Sequence, residues 1–131
     1  MSTLETAAAL FAAIEAKDTK AAADLYADDV RVWHNFSNAF QDKAANLETL
    51  GGLCRSVPEI HYDVTERLLL EDGRVMQRHV LRACLGAEDV LIPACIFITV
   101  RDGRISAIHE YLDTGQANRL RAATGRAPVS G

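Results

Sequence analysis

Up to Pro58 the apolar residues recur mainly at helical spacing; beyond it they recur at alternate positions. Ser2, followed three residues later by Glu5, forms the sequence signature of a capping box. Leu4, Ala7, Ala8, Phe11 and Ile14 then fall on one face, so a first helix is predicted there. Asp18 or Thr19 can cap a second, short helix running to about Tyr26, ended by Asp28–Asp29. Val30–His34 alternates as a strand, and a polar loop from Asn35 to Gln41 leads to Asp42, the expected cap of a third helix. Its apolar stripe is Leu47, Leu50, Cys54 and Val57, with Gly51–Gly52 expected to loosen or bend it.

The second half reads as an antiparallel meander of four strands: Ile60–Leu70, Val75–Leu85, Val90–Arg101 and Arg104–Leu112. Asp-Gly pairs at Asp72–Gly73 and Asp102–Gly103 supply hairpin turns, and a third turn is expected at Gly86–Asp89. Such a sheet has to lay its apolar face over the helices, which defines an α+β domain. The chain of 131 residues suits one domain, with the tail after about residue 122 expected to be loosely ordered. In Val90–Val100 both alternating sets are mostly apolar, Val90, Ile92, Ala94, Ile96 and Ile98 against Leu91, Pro93, Cys95 and Phe97. A strand apolar on both faces needs cover on both. The helices cover one, and a homodimer through the sheet is expected to cover the other.

Charge narrows the choice of partners. A net charge of −4 gives no electrostatic footprint for nucleic acid or an anionic membrane, so neither is an expected partner. The arginines at 74, 78, 82, 101 and 104 are spread over strands and read as a solvated or interface face. Cys54, Cys84 and Cys95 are odd in number and lack C-x-x-C spacing, which suits free thiols in a reducing, cytoplasmic setting and argues against zinc. The longest apolar run, Val90–Val100, is too short to span a bilayer, and the N-terminus carries no basic leader pattern.

Candidate chemistry lies on the strands. On the second meander strand one face reads Val75, Gln77, His79, Leu81, Ala83 and Leu85, so Gln77 and His79 are polar groups set in an apolar wall. Such placement is unfavourable unless they meet a partner or a ligand. On the early strand, Val30 and Val32 share a face with His34, while Trp33 and Asn35 point the other way. His61 and His109 read as surface or interface histidines.

Two segments carry a family resemblance: Leu25-Tyr26-Ala27-Asp28-Asp29-Val30, and Asp102-Gly103-Arg104-Ile105 followed by His109-Glu110-Tyr111-Leu112-Asp113. They resemble the nuclear transport factor 2-like (SnoaL-like) superfamily, which implies a cone-shaped, curved antiparallel sheet wrapped over three N-terminal helices and an apolar pocket. Leu81-Arg82-Ala83 and Glu110–Asp113 are similar in spacing to the limonene-1,2-epoxide hydrolases. That register implies site positions at Glu110, His79, Gln77, Val32 and His34; comparison with ketosteroid isomerase places its base on His34 too. The two carboxylates bridged by arginine that the hydrolases use are not kept, so epoxide hydrolysis is not implied.

The resemblance implies a cofactor-free acid–base enzyme of isomerase, dehydratase or cyclase type, with no metal, acting on a small, mostly apolar oxygenated molecule. His79 is the expected base, Glu110 its orienting partner, His34 a second acid–base group, and Gln77 and Val32 substrate contacts. With Glu110 bonded to it, His79 is expected to be easier to protonate than a free imidazole. A non-catalytic ligand-binding or dimerisation module of the same fold is the alternative. A His79–Glu110 bond that only fastens two strands would leave the same pattern.

Overall fold

The computed structural model describes residues 1–129. Helix α1 (Thr3–Glu15) starts at the expected capping box: Glu5 N donates to Ser2 Oγ at 3.1 Å and Ser2 N to Glu5 Oε1 at 2.9 Å. Asp18 caps α2 (Thr19–Leu25), and Asp42 caps α3 (Lys43–Ser56), which stays continuous through Gly51–Gly52. The chain then forms β3 (Glu59–Leu69), β4 (Val75–Cys84), β5 (Asp89–Arg101) and β6 (Arg104–Leu112), close to the expected meander. At the last hairpin Asp102 (φ 53°) and Gly103 (φ 77°) both take the left-handed conformation that a tight two-residue turn demands.

Three features depart from the sequence expectation. Strand β1 spans Tyr26–His34, so Asp28–Asp29 lie within it and do not separate it from α2. Its register against β6 breaks between Tyr26 and Arg31, an irregularity that accommodates the two aspartates. The polar loop contains a short strand, β2 (Ala39–Gln41), which pairs with the end of β1. A fourth helix, α4 (Thr114–Ala123), follows the sheet, capped by Asp113, whose side chain accepts from Gln116 N.

All six strands form one curved, unclosed sheet in the order β2-β1-β6-β5-β4-β3, with β1 parallel to β6 and the other pairs antiparallel. Its inner face carries Val30, Val32, Val75, Ala83, Ile96, Ile98 and Ile108, packed against Leu10, Phe11 and Ile14 of α1. Side-chain alternation follows the sequence pattern on β5: Val90, Ile92, Ile96 and Ile98 are buried, whereas Leu91 is 45% exposed. Among the described residues no helix is long and apolar enough to cross a membrane.

Candidate functional site

The concave face of the sheet and the helices line a cavity of about 140 Å³ that is partly open to solvent. Its apolar wall includes Leu10, Phe11, Val32, Ile96, Ile108 and Leu120. Polar side chains reach it from four strands, Tyr26 and His34 on β1, Tyr62 on β3, His79 on β4 and Glu110 on β6, and from the helical side, Asn46 and Thr49 on α3, Arg121 on α4 and Arg126 after it. Each strand residue arrives there by the two-residue alternation of its strand. Of the sequence candidates, His34, His79, Glu110 and Val32 therefore line the cavity, and Gln77 stands in the wall behind it.

The pairing among these groups is not the expected one. His34 and Glu110 are direct partners in the parallel β1–β6 ladder, and His34 Nε2 lies 3.2 Å from Glu110 Oε1. His34 also stacks on Phe36, with ring centroids 4.9 Å apart. A carboxylate accepts only, so this contact favours the imidazole tautomer with its hydrogen on Nε2, which leaves the Nδ1 lone pair available. Among the described residues Nδ1 has no hydrogen-bond partner.

His79 is bonded elsewhere. Strand β5 runs between β4 and β6, so Ala94 and Ile96 stand between His79 and Glu110. Two strand spacings put the backbones of β4 and β6 about 10 Å apart. The expected His79–Glu110 bond does not form; His79 Nδ1 instead sits 2.8 Å from Gln77 Nε2. Gln77 is fully buried, and its Oε1 accepts from Arg67 Nε at 2.7 Å. An arginine can only donate, so the glutamine carbonyl must face Arg67 and its NH₂ must face His79. The Nδ1 of His79 is therefore an acceptor, and the ring hydrogen of the neutral imidazole is on Nε2.

The ionisation of His79 moves in the same direction. Burial pushes its pKa down, Glu110 pulls it up less strongly, and the Arg67 charge adds to the depression. This reverses the sequence expectation, because burial is not offset by a directly bonded carboxylate. The ring is held edge-on by Tyr62 and tilted against Phe11, with centroids at 5.0 and 5.4 Å. His79 is thus a neutral, oriented N–H donor, and His34–Glu110 is the imidazole–carboxylate pair.

Two tyrosines add further polar groups to the cavity. Tyr26 donates to Asn46 Oδ1 at 2.7 Å, and Asn46 in turn donates to Gln41 Oε1 at 3.0 Å. Burial and the negative charge of Glu110 raise both Tyr26 and Tyr62 well above the ordinary phenol range, so both stay protonated. Away from the cavity, Glu59, His61 and Cys84 bring donor atoms within 4.8 Å of one another. Arg82 Nη1 lies 3.7 Å from the Cys84 sulfur, a cation placed where a metal ion would need to be accommodated.

A curved sheet folded over helices around an apolar cavity, with an imidazole–carboxylate pair on its wall, defines a cone-shaped α+β pocket protein. The sequence model of the SnoaL-like domain matches residues 7–108, and the chain belongs to that family. No curated protein matches the chain. Among solved structures it is similar to wild-type IdmH, a putative polyketide cyclase from Streptomyces antibioticus, with 18% identity, a TM-score of 0.76, and coverage of 90% of this chain and 96% of that one. It is also similar to an LEH-like epoxide hydrolase from M. tuberculosis (15% identity, TM-score 0.75, 93% and 90% covered). An uncharacterised cystatin-fold protein from Novosphingobium aromaticivorans gives 21% identity and a TM-score of 0.71 over 84% of this chain and 97% of that one.

Arg67 was not among the sequence candidates, and neither was the His34–Glu110 pairing. The reason for Arg67 is a bulge in β3. Ile60, Tyr62 and Val64 oppose Ala83, Leu81 and His79, but the register shifts between Val64 and Glu66, after which Arg67 opposes Gln77. One inserted residue flips every later side chain to the other face.

Proposed function

We propose that the protein is a cofactor-free acid–base enzyme that removes a proton from the carbon next to a carbonyl in a small, mostly apolar molecule. The observation that carries this reading is the division of labour between the two histidines. His34, held by Glu110, offers Nδ1 as the base; His79, held by Gln77 and Arg67, offers Nε2–H as a donor. Strands β6 and β5 both lie between β1 and β4, so the two imidazoles reach the cavity from separate parts of its wall, with room for a substrate between them. Cavities of about 150 Å³ take a molecule the size of benzene, so a single ring or short chain suits this one, which measures about 140 Å³.

In the proposed step the C–H bond breaks, its proton goes to His34 Nδ1, and its electron pair moves onto the carbonyl oxygen. That oxygen accepts a hydrogen bond from His79 Nε2–H, so the new charge is stabilised by a preorganised donor. Glu110 stabilises the imidazolium that His34 becomes. Return of the proton at another carbon of a conjugated system gives isomerisation; its transfer to a departing β-hydroxyl, which leaves as water, gives dehydration; and its transfer to the alkoxide formed when the enolate attacks a second carbonyl gives cyclisation. Gln77 acts through His79, as a positioning residue, and Val32 supplies apolar wall. The cyclase and hydrolase descriptions of the structural neighbours support chemistry of this general kind.

The test needs no knowledge of the natural product. Proton NMR in D₂O follows exchange of the α-hydrogens of cyclohexanone, which requires only a base and an oxygen donor. Exchange catalysed by the parent and reduced about 10²–10⁴-fold in His34→Asn is expected, the usual contribution of a general base. Exchange in the parent no faster than in buffer, across several small ketones, would overturn the enzymatic reading and leave a ligand-binding module.

A further inference from the structure

At the rim of the cavity, between α3 and α4, lies a second hollow of about 400 Å³, open to solvent. The two share Thr49, Arg121 and Arg126 in their linings, so they adjoin each other at these side chains. Three guanidinium groups line it: Arg55 from α3, Arg121 from α4 and Arg126 from the segment after α4. Among the described residues none of the three forms an ion pair. Elsewhere Arg74, Arg78, Arg82, Arg101 and Arg119 each pair with a carboxylate. Glu48 also borders the hollow without pairing to any of the three.

The local backbone makes room for this cluster. A Cβ on Gly51 would stand 2.9 Å from Arg55 Nη1, and one on Gly52 would stand 3.6 Å from Arg126 Nη1. Two adjacent glycines within a helix are unfavourable for helix stability, yet here they bare the α3 surface on which the guanidinium groups lie. Arg126 is further fixed by its Nε donating to Thr124 Oγ1 at 3.1 Å and its backbone N donating to Arg121 O at 2.7 Å. Arg121 Nη1 donates to Ala127 O at 3.3 Å. These bonds use only some of the five donors each guanidinium has. Burial, and to a smaller extent the neighbouring Arg121 charge, depress the Arg126 pKa. Away from these arginines the polar groups of the cavity wall include the acceptor Glu110 and the neutral His79.

We infer that the hollow is an anion subsite, which takes the carboxylate or phosphate group at one end of a molecule whose apolar end fills the cavity. Planar guanidinium forks suit either oxyanion. The inference rests on the cavity being the substrate site, as proposed above, and it narrows the substrate class to an amphiphilic anion with its reactive carbonyl near the apolar end.

Calorimetric titration with 4-phenylbutyrate, 4-phenylbutyl phosphate and the neutral 4-phenylbutanol tests this at low salt, in the parent and in the Arg121→Gln/Arg126→Gln double variant. At least one of the two anions is expected to bind on the order of tenfold tighter than the alcohol, as charge-assisted hydrogen bonds would provide. The tighter of the two identifies the headgroup. In the double variant the preference, read as the ratio of anion to alcohol affinity so that any change common to both probes cancels, should collapse, and about 0.5 M salt should erode it in the parent. Arg55→Gln, at an exposed position, should weaken the preference without threatening the fold. Equal binding of all three probes, or a preference that survives the double substitution, would overturn the inference. So would inorganic phosphate binding as tightly as 4-phenylbutyl phosphate. Failure of the proton-abstraction reading is separable, because His34→Asn alters α-hydrogen exchange and leaves the headgroup preference intact.

Discussion

Replacing Gln77 tests the link between burial, tautomer and chemistry in one residue. Gln77 is 0% exposed and joins Arg67 to His79 through bonds of 2.7 and 2.8 Å. Leucine has nearly the same volume, so Gln77→Leu opens little cavity and removes mainly the two hydrogen bonds. A bond to a charged group contributes about 1.5–3 kcal/mol and a neutral one about 1 kcal/mol. The half-buried Arg67 can turn toward water and recover part of its share, so a loss of about 2–3 kcal/mol is expected, read from urea denaturation. The conservative change is more informative. In Gln77→Glu the carboxylate accepts from Arg67 and can only accept from His79, so the imidazole hydrogen must move to Nδ1. Nitrogen-15 NMR of the histidine rings reports this directly: the Nε2–H form in the parent, the Nδ1–H form or the imidazolium in Gln77→Glu. The fold should survive; with the neutral Nδ1–H form α-hydrogen exchange falls, because Nε2 no longer donates, whereas the imidazolium keeps that donor and sustains exchange. An unchanged tautomer, or a Gln77→Leu variant within about 0.5 kcal/mol of the parent, would refute the account of how His79 is held.

Three further outcomes follow from the same structure. His79 has its pKa depressed in the fold, so the unfolded chain binds more protons; its contribution to stability is full above the unfolded value of about 6.5 and is lost as pH falls through the folded value. Urea titrations between pH 5 and 7.5 should show a positive slope that flattens in His79→Gln. Tyr26→Phe leaves the buried Asn46 Oδ1 without its donor and should destabilise the protein by about 1–3 kcal/mol in thermal or urea melts. On the outer face of the sheet Leu91 is 45% and Tyr111 50% exposed, so we expect a dimer by light scattering in the parent and a monomer in Leu91→Glu; a monomeric parent at micromolar concentration would remove the expectation.

The inner face of the sheet was legible because its code is local. Alternation along β4 and β5 sorts Gln77, His79, Ile96 and Ile98 inward from the residues alone, and the Asp102–Gly103 turn sets one hairpin. Helix α4 was harder to read: it buries only Ala117 and Leu120, too few apolar positions to establish a helical period. The mistaken His79–Glu110 bond has a different origin, since the meander already implied that β5 separates β4 from β6. Adjacent position on a face does not make two residues neighbours when a whole strand lies between them.

His34 and Glu110 meet because β1 runs parallel to β6, a pairing that links residues 76 positions apart and leaves no trace in local pattern. Arg67 was hidden by the β3 bulge, which no Gly or Pro announces. Without that extra residue the odd-numbered positions of β3 would continue to face outward, and Gln77 would have no cation to orient its amide. The bulge therefore does more than bend an outer strand. By turning Arg67 inward it decides which nitrogen of His79 carries the hydrogen, and so whether that ring meets a ligand as a donor or as a base.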